Sequence, residues 1–132
     1  MTTIRSRMIG AWQLVQFESQ DTATGYSRQP LGPQPQGLIL YTPDGFMAAQ
    51  LAPDGTGTEI ADPIAYSGPF QVDEDTAIVH HEVRMATMPD LLAAPQLREV
   101  HVDGEHLTLS ATSTDAAGVT TRSTLTWRRA VR

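Results

Sequence analysis

Two apolar runs, Gly37-Leu38-Ile39-Leu40-Tyr41 and Phe46-Met47-Ala48-Ala49-Gln50-Leu51, flank Thr42-Pro43-Asp44-Gly45 and constrain the fold more than any other part of the chain. Pro43 presets φ at the second turn position, and Gly45 supplies the positive φ that follows. The segment is predicted to be a β-hairpin. An isolated hairpin of this kind is marginal in water, so further strands must complete a sheet around it.

Short apolar or alternating segments separated by turn signals supply those strands. They are predicted near 9–18, 24–28, 36–42, 45–52, 64–72, 75–86, 96–102, 105–112 and 118–129. Turns are expected at Pro53-Asp54-Gly55-Thr56-Gly57, at the solvent-facing acidic triplet Asp73-Glu74-Asp75 and at Asp103-Gly104. Met88 to Pro95 is the one segment with the makings of a short helix. The expectation is all-β: one domain, residues 1–132, forming a single closed antiparallel barrel of about 8–10 strands. Closure removes exposed strand edges, and a barrel of this size is either filled by side chains or holds one small ligand.

Composition narrows the chemistry. The chain has no cysteine, lysine or asparagine. A disulfide framework, a thiolate nucleophile, cysteine-ligated zinc and a lysine Schiff base are all excluded. A formal net charge of −6 opposes nucleic acid and anionic membrane surfaces and favours a small neutral or singly charged partner. The opening residues Met1 to Arg7 run into a patterned strand with no secretory apolar core, so cytoplasmic residence is expected. No glycine-rich phosphate loop or nucleophile elbow is present, and no cofactor is expected.

Several segments in order, Gly10-Ala11-Trp12, Pro35 to Met47, Tyr66-Ser67-Gly68-Pro69-Phe70, Val79 to Val83, Leu97-Arg98-Glu99-Val100, Leu107-Thr108-Leu109 and Leu125 to Arg129, resemble the bacterial lipocalin-like domain family. The resemblance implies a calycin-type small β-barrel that binds small apolar molecules. Where that family has a Pro-x-Trp segment, this chain has Met88-Pro89-Asp90-Leu91-Leu92-Ala93-Ala94, which implies a different cargo or access rule if the loop covers the barrel mouth.

In Ile78-Val79-His80-His81-Glu82-Val83-Arg84-Met85, alternation places Val79, His81, Val83 and Met85 on one face, expected inward. Three roles stay open for His81: a core histidine bonded to a neighbouring strand, a contact for a ligand carbonyl or hydroxyl, or the general acid or base of an enzyme. Adjacent His80 and His81 face opposite ways and cannot chelate one ion, so no metal site is expected. Arg98 shares parity with Val100 and Val102, and an inward guanidinium needs a carboxylate, a carbonyl cluster, water or an acidic ligand. Tyr41, Tyr66, Phe70, Met47 and Met85 are expected to complete the ligand-contacting wall, with Gly68 leaving space between two inward rings; ordinary core packing is the alternative. Trp12 and Trp127-Arg128-Arg129 are assigned to structure, one arginine stacking on a tryptophan to close the barrel.

Three functions fit these residues: a barrel enclosing a largely apolar, oxygen-bearing small molecule; a cofactor-free cyclase or isomerase acting on a natural-product intermediate, by analogy of architecture alone; and an interaction module with a filled core. Turnover separates the first two, and a cavity separates both from the third.

Overall fold

The computed structural model describes residues 2–132. In chain order the elements are helix α1 (Ile4–Met8), strands β1 (Gly10–Asp21), β2 (Ser27–Arg28), β3 (Gln36–Tyr41), β4 (Phe46–Ala52), β5 (Ile64–Asp73), β6 (Ile78–His81) and β7 (Met85–Ala86), a 3-10 turn (Pro89–Leu92), then β8 (Gln96–Asp103), β9 (His106–Thr114) and β10 (Thr120–Arg129). Antiparallel pairing runs β1-β3-β4-β5-β6-β8-β9-β10 and returns to β1, closing eight strands into a barrel; β2 and β7 are short additions to β1 and β5. The predicted barrel and its founding hairpin are both present: Gly45 has φ 99°, and its N–H donates to the Thr42 carbonyl at 3.1 Å.

Alternation decides what lies inside. Ile39 and Tyr41 of β3, Met47, Ala49 and Leu51 of β4, Val79 and His81 of β6, Val100 and Val102 of β8, and Leu107 and Leu109 of β9 are all buried. Strand β1 changes parity at Val15, where its register against β10 slips between Leu14 and Gln16. This bulge turns Trp12 and Leu14 inward before it, and Phe17 and Ser19 after it.

One end of the barrel is sealed by α1, an element with no counterpart in the sequence-based expectation. Thr3 and Ser6 cap its first turn reciprocally. Glu74, exposed as its place in the acidic turn predicts, also accepts hydrogen bonds from the N–H groups of Ile4 (2.7 Å) and Arg5 (3.1 Å). Carboxylate oxygens suit these two orphan donors and the positive end of the helix. Met8 is completely buried, and its carbonyl accepts the Trp12 indole N–H at 2.8 Å. The Arg129 guanidinium lies 3.9 Å above the Trp12 ring and donates to the carbonyls of Ile9 and Arg7, each at 2.7 Å. Arg129 is therefore the predicted stacking arginine, whereas Arg128 is exposed.

The expected strand 75–86 is not continuous. It breaks after His81, and Glu82 and Arg84 donate backbone bonds to the carbonyls of Pro69 and Ser67, each at 2.9 Å. Met85 is consequently 69% exposed, on the outside instead of beside His81. Gly68 explains the break, because a Cβ there would lie 2.0 Å from the Glu82 carbonyl oxygen. The space expected beside Gly68 is filled by this crossing backbone, not left for a ligand.

Trp12→Ala is expected to destabilise the protein by about 3–5 kcal/mol, the usual cost of emptying a buried aromatic site. Arg129→Ala should lose about 1–3 kcal/mol, through the stacking contact and two carbonyl bonds, and Arg128→Ala less than about 0.5 kcal/mol. Urea unfolding of the three variants checks the order, and an unaltered midpoint for Trp12→Ala would refute the plug.

Candidate functional site

Two polar layers lie inside the barrel. The inner one joins β3, β5 and β6, whose register sets His81 opposite Phe70 and brings Tyr41 beside both. The Tyr41 hydroxyl and His81 Nε2 are 2.7 Å apart, and both residues are sealed from solvent. Burial raises the Tyr41 pKa well above the usual phenol range, with Tyr66 adding to the effect and Arg98 opposing it. Burial, assisted by the Arg98 charge, lowers His81 from 6.5 to about 3. At neutral pH this is a tyrosine hydroxyl bonded to an uncharged imidazole. The Nδ1 atom of His81 is buried without a hydrogen-bond partner.

The outer layer is Tyr66 and Arg98. The Tyr66 ring centroid is 5.9 Å from that of His81, on the side of a cavity of about 700 Å³. Phe17, Leu51, Ile64 and Leu125 form its apolar wall, and Met88 and Leu91 reach it from the 3-10 segment. Arg98 enters from β8, inward as its parity with Val100 and Val102 predicted. Its guanidinium donates to the Leu97 carbonyl at 2.8 Å and the Gln96 side-chain carbonyl at 3.5 Å, and no carboxylate of the described residues forms a salt bridge with it. Burial raises the Tyr66 pKa, with the Arg98 charge opposing. A cavity of this size suits a drug-sized molecule. A second hollow of about 720 Å³, bordered by Gln13, Gly37, Gln50 and Arg128, holds no buried ionisable group and offers less chemistry.

The structure thus divides the residues selected from sequence. Tyr66 and Arg98 border the cavity. His81, through Nε2, pairs with Tyr41 in the core, while Phe70 and Met47 are packed there without reaching the cavity. Met85 lies outside the barrel. Phe17, Leu51 and Leu125 complete the lining and were not selected; Phe17 has inward parity only through the Val15 bulge, which no residue of that stretch announces.

A lipocalin-like domain description matches residues 9–60 and 56–130 of the chain. Among curated proteins, the 4'-hydroxy-3'-methoxypropiophenone carrier protein ppsC of Aspergillus oryzae is 38% identical over 73 residues, covering 50% of this chain and 66% of that protein. This chain spans just under two thirds of that relative's length.

The neutral His81 makes a checkable contribution to stability. The unfolded chain takes up a proton at this histidine below about pH 6.5, whereas the folded protein does so only near 3. Stability should therefore fall on acidification between these values, by up to about 1.4 kcal/mol per pH unit. In His81→Gln that part of the slope should vanish, leaving losses from carboxylates such as Asp73, which hydrogen bonds from Thr76 and Asp75 hold below the usual range in both proteins. Equal slopes for the two proteins in urea titrations at several pH values would refute a neutral buried His81.

Proposed function

Because this chain belongs to the lipocalin-like domain family, we propose that it binds and carries a small, largely apolar, oxygen-bearing molecule inside the barrel. The observation that carries this reading is the cavity of about 700 Å³ with an apolar wall and two convergent polar groups, Tyr66 and Arg98. The Tyr66 hydroxyl is free of hydrogen bonds to the described residues, and Arg98 has only neutral partners. Both are available to a ligand carbonyl, hydroxyl or carboxylate. The name of the Aspergillus relative denotes carriage of an aryl ketone with hydroxy and methoxy groups, a molecule of this class.

Carriage is favoured over cyclisation or isomerisation by the placement of the histidine. The enzymatic alternative would use His81 or a tyrosine to move a proton; His81 is bonded to Tyr41 and does not border the cavity, and the Tyr66 phenol, which does, is made a poorer acid by burial. The His81 ring lies behind that of Tyr66, the centroids 5.9 Å apart. A purely surface-acting module is disfavoured because the side chains leave a cavity of about 700 Å³ in the barrel instead of packing it solid.

Calorimetric titration with 4'-hydroxy-3'-methoxypropiophenone, the compound in the relative's name, is expected to give saturable one-to-one binding. Tyr66→Phe should weaken it about tenfold, the effect of one hydrogen bond, with little change in Tm. Failure of this compound and of simpler aryl ketones to bind at millimolar concentration would overturn the proposal, and recovery of a chemically altered ketone would replace carriage with turnover.

A further inference from the structure

The barrel wall is not hydrogen-bonded along its whole height. Strands β8 and β9 pair only from Glu99↔Ser110 to Asp103↔His106, next to their Gly104 turn. Beyond that, Gln96, Leu97 and Arg98 pair with β6 alone, and Ala111 to Thr114 with β10 alone. The cavity is bordered from both sides of this divergence, by Gln96, Leu97 and Arg98 on one strand and Ala111, Thr112 and Ser113 on the other. Leu97, Thr112 and Ser113 are exposed, so the cavity communicates with solvent through the gap.

Arg98 stands at this gap with its charge uncompensated. Acids are not scarce: the chain has fifteen against nine arginines. Three other arginines have a carboxylate within 4.0 Å: Arg28 with Glu59, Arg84 with Glu82 and Arg122 with Glu99. Among the described residues Glu99 is the only acid bordering the cavity, and Arg122 holds it at 2.6 Å, on the strand parity opposite to Arg98. Arg98 therefore meets only the Leu97 and Gln96 carbonyls, while apolar surface extends behind it to Phe17, Leu51 and Leu125. A half-buried guanidinium with neutral acceptors on one side and a cavity on the other is matched by an anion.

We infer that the cargo is an apolar monoanion, such as an aryl or alkyl carboxylate or sulfonate, bound with its charged end on Arg98 at the β8–β9 gap and its apolar body inside the barrel. This rests on the carrier reading and narrows its ligand class. It also orients the ligand, because a molecule anchored at the gap presents its anionic end last on uptake and first on release.

Two fluorescent probes with the same rings test it: anilinonaphthalene sulfonate, an apolar monoanion, and N-phenylnaphthylamine, which lacks the sulfonate. The native chain is expected to bind the sulfonate more tightly. Arg98→Met should weaken the sulfonate about 30-fold or more and the neutral probe less than about threefold, while Arg98→Lys, which keeps the charge, should recover part of the loss. Ala111→Asp supplies a carboxylate on the facing strand and should likewise weaken the sulfonate selectively, at unchanged circular dichroism. The inference is overturned if Arg98→Met leaves sulfonate binding intact, if both probes weaken together, or if only the neutral probe binds the native chain. If neither probe binds, the carrier reading fails with it.

Discussion

The pairing of β1 with β10 is the contact on which everything else depends, because it turns a sheet into a container. Nine register positions, from Trp12↔Arg129 to Asp21↔Thr121, join the two ends of the chain. The same pairing carries Arg129 over Trp12 and brings it to the carbonyls of Arg7 and Ile9. A ladder that fixes only backbone thereby also fixes the seal at one end. Without that seal the interior would be wet from both ends, and the Tyr41–His81 pair would have no low-dielectric surroundings to keep it neutral.

The barrel separates two uses of polar side chains. Tyr41 and His81 are polar groups that the core needs to satisfy, and they do so mutually except at Nδ1. Tyr66 and Arg98, one layer outward, are satisfied poorly or not at all by the protein. The first pair lies in the core, and the second borders the cavity as its two proposed ligand contacts. The Arg98 charge couples the layers, since it depresses His81 further and offsets the effect of burial on both tyrosines.

Much of this was legible in the sequence wherever strand alternation runs uninterrupted. Val79 and His81, Arg98 with Val100 and Val102, and the Thr42–Gly45 turn all stand as period-two reasoning placed them. Period-two alternation misleads where a backbone event resets the period. The crossing of Glu82 over Gly68 ejected Met85, and the Val15 bulge admitted Phe17 to the lining. Helix α1 escaped notice because five residues show no helical periodicity, and its N-terminal partner, Glu74, lies seventy positions away from Ile4. Parity can say that His81 is inside, but not whether inside means the core or the cavity. That distinction depends on Tyr41 arriving from a different hairpin.

On the carrier reading, the divergence of β8 and β9 separates how stable this protein is from how fast it would exchange a ligand. Along the paired seams, admitting a molecule between strands would break several backbone hydrogen bonds, each costly to leave unmade. Between Gln96–Arg98 and Ala111–Thr114 no β8–β9 pairing stands in a ligand's way, and the side chains that border the cavity there include Leu97 and Met88. Rotamer changes at exposed side chains are fast, whereas opening a barrel seam approaches global unfolding. For a carried ligand, residence time and melting temperature would then depend on different parts of the wall, the first on this gap and the second on seams such as β1–β10.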